Sequence, residues 1–154
     1  MFLKLLEYLG RKRIIMDRTS SQPYLERYYL LFIDRNYFPF NVFLHKFLKS
    51  DPDDHHEHPW NYRTLILRGG YWEWTPTFDA AGRKTGEITK WYGAGSFRRA
   101  QANSYHRIEL DPDITCWTLF MPGPHKKEWG FLTKGKWIQH EEYLKGKQNV
   151  YNTN

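Results

Sequence analysis

Asp51-Pro52-Asp53-Asp54-His55-His56-Glu57-His58-Pro59-Trp60 is the stretch on which the reading of this chain turns, and an apolar run from Tyr62 to Leu67 follows it at once. Three of the 7 histidines fall here, within four residues. If the segment enters a strand, alternate side chains share one face. His56 and His58 then stand side by side, their Cα atoms roughly 6.5 Å apart at the usual rise per residue. Two imidazoles at that spacing can converge on one metal ion, and neutral imidazole suits zinc, iron, copper and nickel. A mononuclear site needs at least one more ligand from elsewhere in the chain.

Outward from this stretch, the chain reads as short strands punctuated by turns. On the N-terminal side, Tyr24 to Asp34 and Phe40 to Leu48 are rich in aromatic and β-favouring residues, with a hairpin turn expected at Arg35-Asn36-Tyr37. Asp51-Pro52-Asp53-Asp54 is turn chemistry. His56 to Leu67 is the next strand. Tyr71 to Phe78 follows with Pro76 marking an edge, and then come Glu87 to Tyr92 and Ser96 to Leu110. Ile114 to Met121 reads as a strand buried on both faces, stopped by Pro122-Gly123-Pro124. A last hairpin joins Trp129–Leu132 to Trp137–Gln139. Phe2 to Leu9 has helical spacing with Gly10 as its stop. The expected organisation is a helix and irregular segment over 1–22, one domain over 23–144, and a polar, frayed tail over 145–154. Eight to ten short strands at regular spacing, with almost no helix, imply an all-β sandwich or barrel of the jelly-roll type.

Composition agrees. At 154 residues the chain suits one domain with a real core. Its 18% aromatic content suits strands and a barrel interior. A net charge of +6 permits an anionic substrate without demanding one. The single cysteine, Cys116, rules out an intramolecular disulfide, fits a reducing compartment, and reads as packing within an apolar strand. The apolar start at Phe2 is too short to span a membrane, so a cytoplasmic protein is expected.

The third ligand is His106, about fifty residues after the pair and beyond a hairpin and a glycine turn. In a small barrel, inward positions on neighbouring strands converge on one cavity. Three imidazoles with water completing the shell make an open, catalytic kind of site. The pattern resembles the two metal-binding motifs of the cupin superfamily. His56-Glu57-His58 with Gly69 matches the first motif, and Gly95 to His106 the second, a resemblance covering residues 40 to 122. Many cupins carry a glutamate four or five residues after the second histidine, where this chain has Tyr62 and Arg63. The second motif has Arg99-Ala100-Gln101-Ala102 in place of its usual Pro-x-Gly. The resemblance thus implies a cupin-type jelly-roll β-barrel with a three-histidine site, as in thiol and diketone-cleaving dioxygenases. It implies one divalent ion, with Fe(II) favoured and Zn, Mn or Ni as alternatives.

Around that site, Tyr62 shares the parity of the pair, which makes it either a hydrogen-bond donor into the site or a core tyrosine. Arg63 is a candidate to hold a substrate carboxylate, although parity sets it across the strand unless a bulge intervenes. Arg99 and Arg107 are comparable candidates. His55 is expected on the face opposite His56, and Glu57 is expected to be solvated or to hold a loop. The expected function is a metal-dependent enzyme of the non-heme iron dioxygenase type, acting on a small polar or anionic molecule. A non-catalytic ligand-binding cupin, or a metal-dependent isomerase or hydrolase, is the alternative. A homodimer is expected as a partner arrangement. Nucleic-acid contact through Trp72, Trp74 and Trp91 near Arg83, Lys84 and Lys90 is the least favoured reading.

Overall fold

A computed structural model of the chain describes residues 1–17, 22–33, 38–52 and 54–151, the side chains of 147–151 excepted. The expected turn at Arg35-Asn36-Tyr37 and the residue Asp53 lie outside them. In order, the elements are α1 (Phe2–Tyr8), β1 (Lys12–Met16), β2 (Pro23–Tyr29), β3 (Phe43–Phe47), β4 (His55–His56), β5 (Trp60–Arg68) and β6 (Gly70–Phe78). They continue with β7 (Lys84–Gly93), β8 (Phe97–Ala100), β9 (Arg107–Glu109), β10 (Cys116–His125), β11 (Gly130–Thr133), β12 (Lys136–Gln139) and α2 (His140–Tyr151).

All ladders are antiparallel. A six-stranded sheet runs β1-β2-β3-β10-β5-β8, and two three-stranded sheets run β12-β11-β4 and β7-β6-β9. Alternation along the central strands explains the packing. Phe43, His45 and Phe47 of β3, Tyr62, Thr64 and Ile66 of β5, and Cys116, Thr118 and Phe120 of β10 are all buried, and their neighbours in sequence face outward. Leu25, Phe47, Ile66 and Cys116 of the large sheet pack with Tyr71 and Ile108 of the β7-β6-β9 sheet. Fully burying a side chain such as Ile66 stabilises by roughly 1.5–3 kcal/mol. No helix among the described residues is long and apolar enough to cross a membrane.

Several expectations need correction. Residues 12–16, read as irregular, form β1 and pair with β2, because Ile15 packs against the core and supplies the apolar anchor. The strand expected from His56 to Leu67 is broken: β4 ends at His56 and β5 begins at Trp60. Pro122-Gly123-Pro124 does not stop β10, which runs on to His125 across a register break that absorbs the missing proline donors. Nor is β10 buried on both faces, since its outer positions are only half covered. The tail read as frayed is helical to Tyr151. Its first amides, on Glu141 and Glu142, donate to Gln139 Oε1, and Tyr143 stacks on Phe131 with ring centroids 4.0 Å apart. Pro76 does mark a local edge, for β9 covers β6 only from Trp72 to Trp74.

Gly69, between β5 and β6, sets the angle at which the site-bearing strands leave each other. Its φ is +72°, and a Cβ there would lie 2.3 Å from the Thr115 carbonyl oxygen. Gly69→Ala combines a left-handed backbone, worth roughly 1–2 kcal/mol, with a clash against backbone that cannot swing away. A total loss of about 2–3 kcal/mol is expected in urea unfolding. A change below about 0.5 kcal/mol would show that the turn adapts.

Candidate metal centre

His56 and His106 are brought together by backbone pairing. Each backbone N–H donates to the other's carbonyl at 2.9 Å, and the two rings lie 4.8 Å apart. His58 arrives from the loop after β4 rather than from the strand itself, yet its ring stands 5.1 Å from both others. One nitrogen from each of the three rings lies within 4.8 Å of the other two, with His56 and His106 buried and His58 half-buried. His58 Nε2 and His106 Nε2 are 3.0 Å apart. Two donors each about 2.1 Å from one ion, at a right angle, stand about 3.0 Å apart. The donor set and its spacing therefore fit a single divalent ion.

Asp51, Asp54 and Glu57 hold the quoted stretch in place. Asp51 accepts the Ile108 amide at 2.7 Å and the Tyr24 hydroxyl, and lies 4.0 Å from His56 Nδ1. Asp54 accepts from Thr133 and Tyr143. Glu57, between the two ligand candidates, is only 1% exposed. Its Oε1 accepts from Lys127 Nζ at 2.7 Å and from Trp137 Nε1 at 2.8 Å. The β11–β12 hairpin thus clamps the His56–His58 loop. Of the two roles expected for Glu57, the structure supports holding a loop.

His106 is backed by Glu73 of β6, which sequence reasoning missed. Glu73 is 3% exposed and accepts His106 Nδ1–H at 2.8 Å. Burial alone would raise its carboxyl pKa, but the hydrogen bond from His106, with Arg98 after it, outweighs that and holds it low. With Nδ1 as donor, Nε2 of neutral His106 presents its lone pair to the cluster. Arg98 of β8 makes a buried, two-pronged ion pair with Glu73, and its Nη1 donates to Tyr62 Oη at 2.6 Å. Tyr62 is buried, as its parity required, with Oη 3.5 Å from His106 Nε2. With no ion bound, burial, against the opposing pull of Arg98, raises its pKa.

The arginine at the site is therefore neither Arg63 nor the two others weighed. β5 and β8 pair Thr64 with Arg98 and Arg63 with Arg99 without any register shift. That parity turns Arg98 inward and leaves Arg63 and Arg99 exposed on the far face. Arg107 lies over Trp74 and lines an outer recess with His55, on the opposite side of β4 from His56. His55 takes the face expected of it, but it is buried, 3.7 Å from Glu87. Of the cations weighed for nucleic acid, Arg83 pairs with Asp79, Lys84 pairs with Glu87, and Lys90 lies over the Tyr92 ring. Cys116 is fully buried, and burial pushes its thiol up to about 12, as suits packing.

A cavity of about 130 Å³ opens beside the cluster, lined by His56, His58, His106 and Tyr62 and, across from them, by Arg27, His45, Thr118 and Phe120. His45 Nε2 accepts from Arg27 Nε at 2.9 Å, so neutral His45 carries its proton on Nδ1, which meets no partner among the described residues. Burial first, then the charges of Arg27 and His58, push its pKa well below the ordinary 6.5. The folded state keeps His45 neutral while the unfolded chain takes up a proton below pH 6.5, so this contribution is present above 6.5 and lost as pH falls. Between about pH 7.5 and about pH 5.5, metal-free wild type should lose about 1.4 kcal/mol more stability than His45→Gln in urea titrations. Equal losses would mean that His45 titrates normally.

With the fold and the cluster described, comparison with solved structures is informative. The polyketide cyclase RemF from Streptomyces resistomycificus matches with a TM-score of 0.58 at 17% identity, over 87% of this chain and 86% of that one. A cupin-2 domain, Rru_A2000 from Rhodospirillum rubrum, matches with a TM-score of 0.56 at 12% identity, over 93% of this chain and 82% of its own. The fold is that of the cupins. Hydroxypropylphosphonic acid epoxidase from S. wedmorenis shares it with a TM-score of 0.51 at 13% identity over 73% of this chain, which spans 56% of the epoxidase's length. No family model and no curated protein matches the sequence. Within the cupin fold, His56, His58 and His106 meet at the inner cavity, as the sequence motifs implied.

Proposed function

We propose that this chain is a mononuclear metal-dependent enzyme acting on a small polar or anionic molecule, with Fe(II) as its ion and dioxygenase-type chemistry. The convergence of three imidazole nitrogens beside a cavity is the observation that carries this reading. Iron is supported further by a structural neighbour described as Fe(II)-HppE, matched with a TM-score of 0.53. An iron ion would supply the means to bind and activate dioxygen and a chelating substrate. The chain's own residues do the rest. Glu73 orients His106, Asp51 lies 4.0 Å from His56 Nδ1, Tyr62 and Arg98 form a polar wall beside them, and Phe120 and Trp60 line the cavity with apolar surface. The three imidazoles bring no charge of their own, so the ion favours an anionic group beside them. Arg98 is engaged by Glu73, so a substrate anion would meet Arg27 across the cavity.

A second reading takes the ion as a Lewis acid, with zinc or manganese polarising a carbonyl. It draws on RemF, a cyclase whose length this chain nearly spans. Oxygen uptake separates the two. Iron-loaded protein given a panel of small carboxylates and diketones should consume dioxygen with at least one of them, whereas zinc-loaded protein should not. Turnover with zinc and no oxygen uptake with iron would favour the second reading and overturn the first.

A further inference from the structure

The geometry points to Tyr62 Oη as a fourth protein donor to the ion held by His56, His58 and His106. This inference rests on the metal-binding reading above and goes one step past it, from a three-histidine site to one of three imidazoles and a phenolic oxygen.

Position comes first. Tyr62 Oη lies 3.5 Å from His106 Nε2, and the ring of Tyr62 stands 4.9 Å from that of His58 at a steep 81°. At 3.5 Å an O–H···N contact is long for a hydrogen bond, whose usual range ends near 3.0 Å. It is the right length for one edge of a coordination polyhedron. Donors about 2.1 Å from an ion stand about 3.0 Å apart at right angles and about 3.4 Å apart in a tetrahedron. The two Nε2 atoms at 3.0 Å and the Nε2–Oη pair at 3.5 Å are thus spaced as two edges around one ion would be.

The chemistry agrees. A guanidinium only donates, so Arg98 Nη1 at 2.6 Å occupies an acceptor site on Oη. The remaining directions of that oxygen are left for its own hydrogen or for a bond to an ion. As the oxygen–metal bond forms, the O–H bond breaks and its proton passes to solvent; no electron changes hands. The phenolate left behind sits beside the Arg98 cation, whose ion pair with Glu73 is already in place. A six-coordinate ion would keep two positions for substrate and dioxygen, so the fourth donor is compatible with turnover.

Phenolate bonded to ferric iron absorbs visible light by charge transfer, a signature that imidazole ligands lack. The purified chain, loaded with ferric iron, should be coloured and show tyrosinate vibrations in its resonance Raman spectrum. Those vibrations should shift when tyrosine is supplied ring-deuterated. Tyr62→Phe should abolish the band while iron stays bound to the histidines. Tyr24→Phe and Tyr71→Phe, which alter the other tyrosines lining the cavity, should keep it. If Tyr62→Phe fails to fold, a band that survives in both of those variants still assigns it to Tyr62. Stoichiometric iron without a visible band in wild type overturns this inference and leaves the metal site standing, as does a band that persists in Tyr62→Phe. Failure of the wild type to bind iron, zinc, manganese or nickel at all overturns both.

Discussion

His106→Ala and His58→Ala are each expected to leave the protein unable to retain iron or zinc through gel filtration, where wild type retains about one ion per chain. Losing an outer hydrogen-bond partner of a ligand costs about 10–100-fold in affinity, and losing the ligand itself should exceed that. The two variants fail for different reasons. His58 comes from a loop, and its removal takes away one donor together with the packing of its ring on Trp60, Tyr62 and Phe120. His106 is paired through its backbone with His56 and through Nδ1 with Glu73. Its loss also frees the carboxylate that oriented it. His55→Ala is the control, since His55 lies on the other side of β4 facing Glu87. Metal analysis showing retention in His106→Ala, or equal loss in His55→Ala, would mean that the ion sits elsewhere.

That three residues so far apart in the chain were legible beforehand has a physical basis. Metal ligation needs a particular residue type at a particular spacing, and His56, His58 and His106 satisfy it whether or not His58 lies in a strand. Strand parity between His56 and His58 needs one continuous strand through Pro59, and the structure breaks it there. The loop nevertheless returns His58 to the face that parity would have given it, because Glu57 is drawn the other way onto Lys127 and Trp137. Parity worked where the strand is regular, placing Tyr62 inside and Arg63 outside. Glu73 and Arg98 carried no motif. Glu73 is flanked by tryptophans, which hid its inward parity, and Arg98 is one of two adjacent arginines whose facing depends on the register between β5 and β8. Registers between strands distant in sequence are set by the assembled core, not by local pattern. Burial of Asp51 and Glu57 was hidden for the same reason, since their partners lie on β9 and β12.

Glu73 is where stability and metal binding meet, and its replacement should damage both. Glu73→Ala leaves the Arg98 guanidinium buried without its carboxylate, a change that costs about 3–5 kcal/mol when one partner of a buried pair is removed. It also frees His106 Nδ1, so the imidazole loses the contact that fixes its tautomer and orientation. A drop of about 10–100-fold in metal affinity follows from that alone. One comparison separates the two effects. Replacing both members, as Glu73→Met with Arg98→Met, swaps a buried ion pair for apolar bulk, and such exchanges are often neutral or stabilising. The double variant should therefore unfold in urea close to wild type while still binding metal weakly, because His106 remains unsupported. If instead the double variant regains wild-type metal affinity along with its stability, Glu73 acts on the ion only by keeping the fold intact. If Glu73→Ala is as stable as wild type, solvent reaches Arg98 and the polar wall beside His106 is not the closed network that its distances describe.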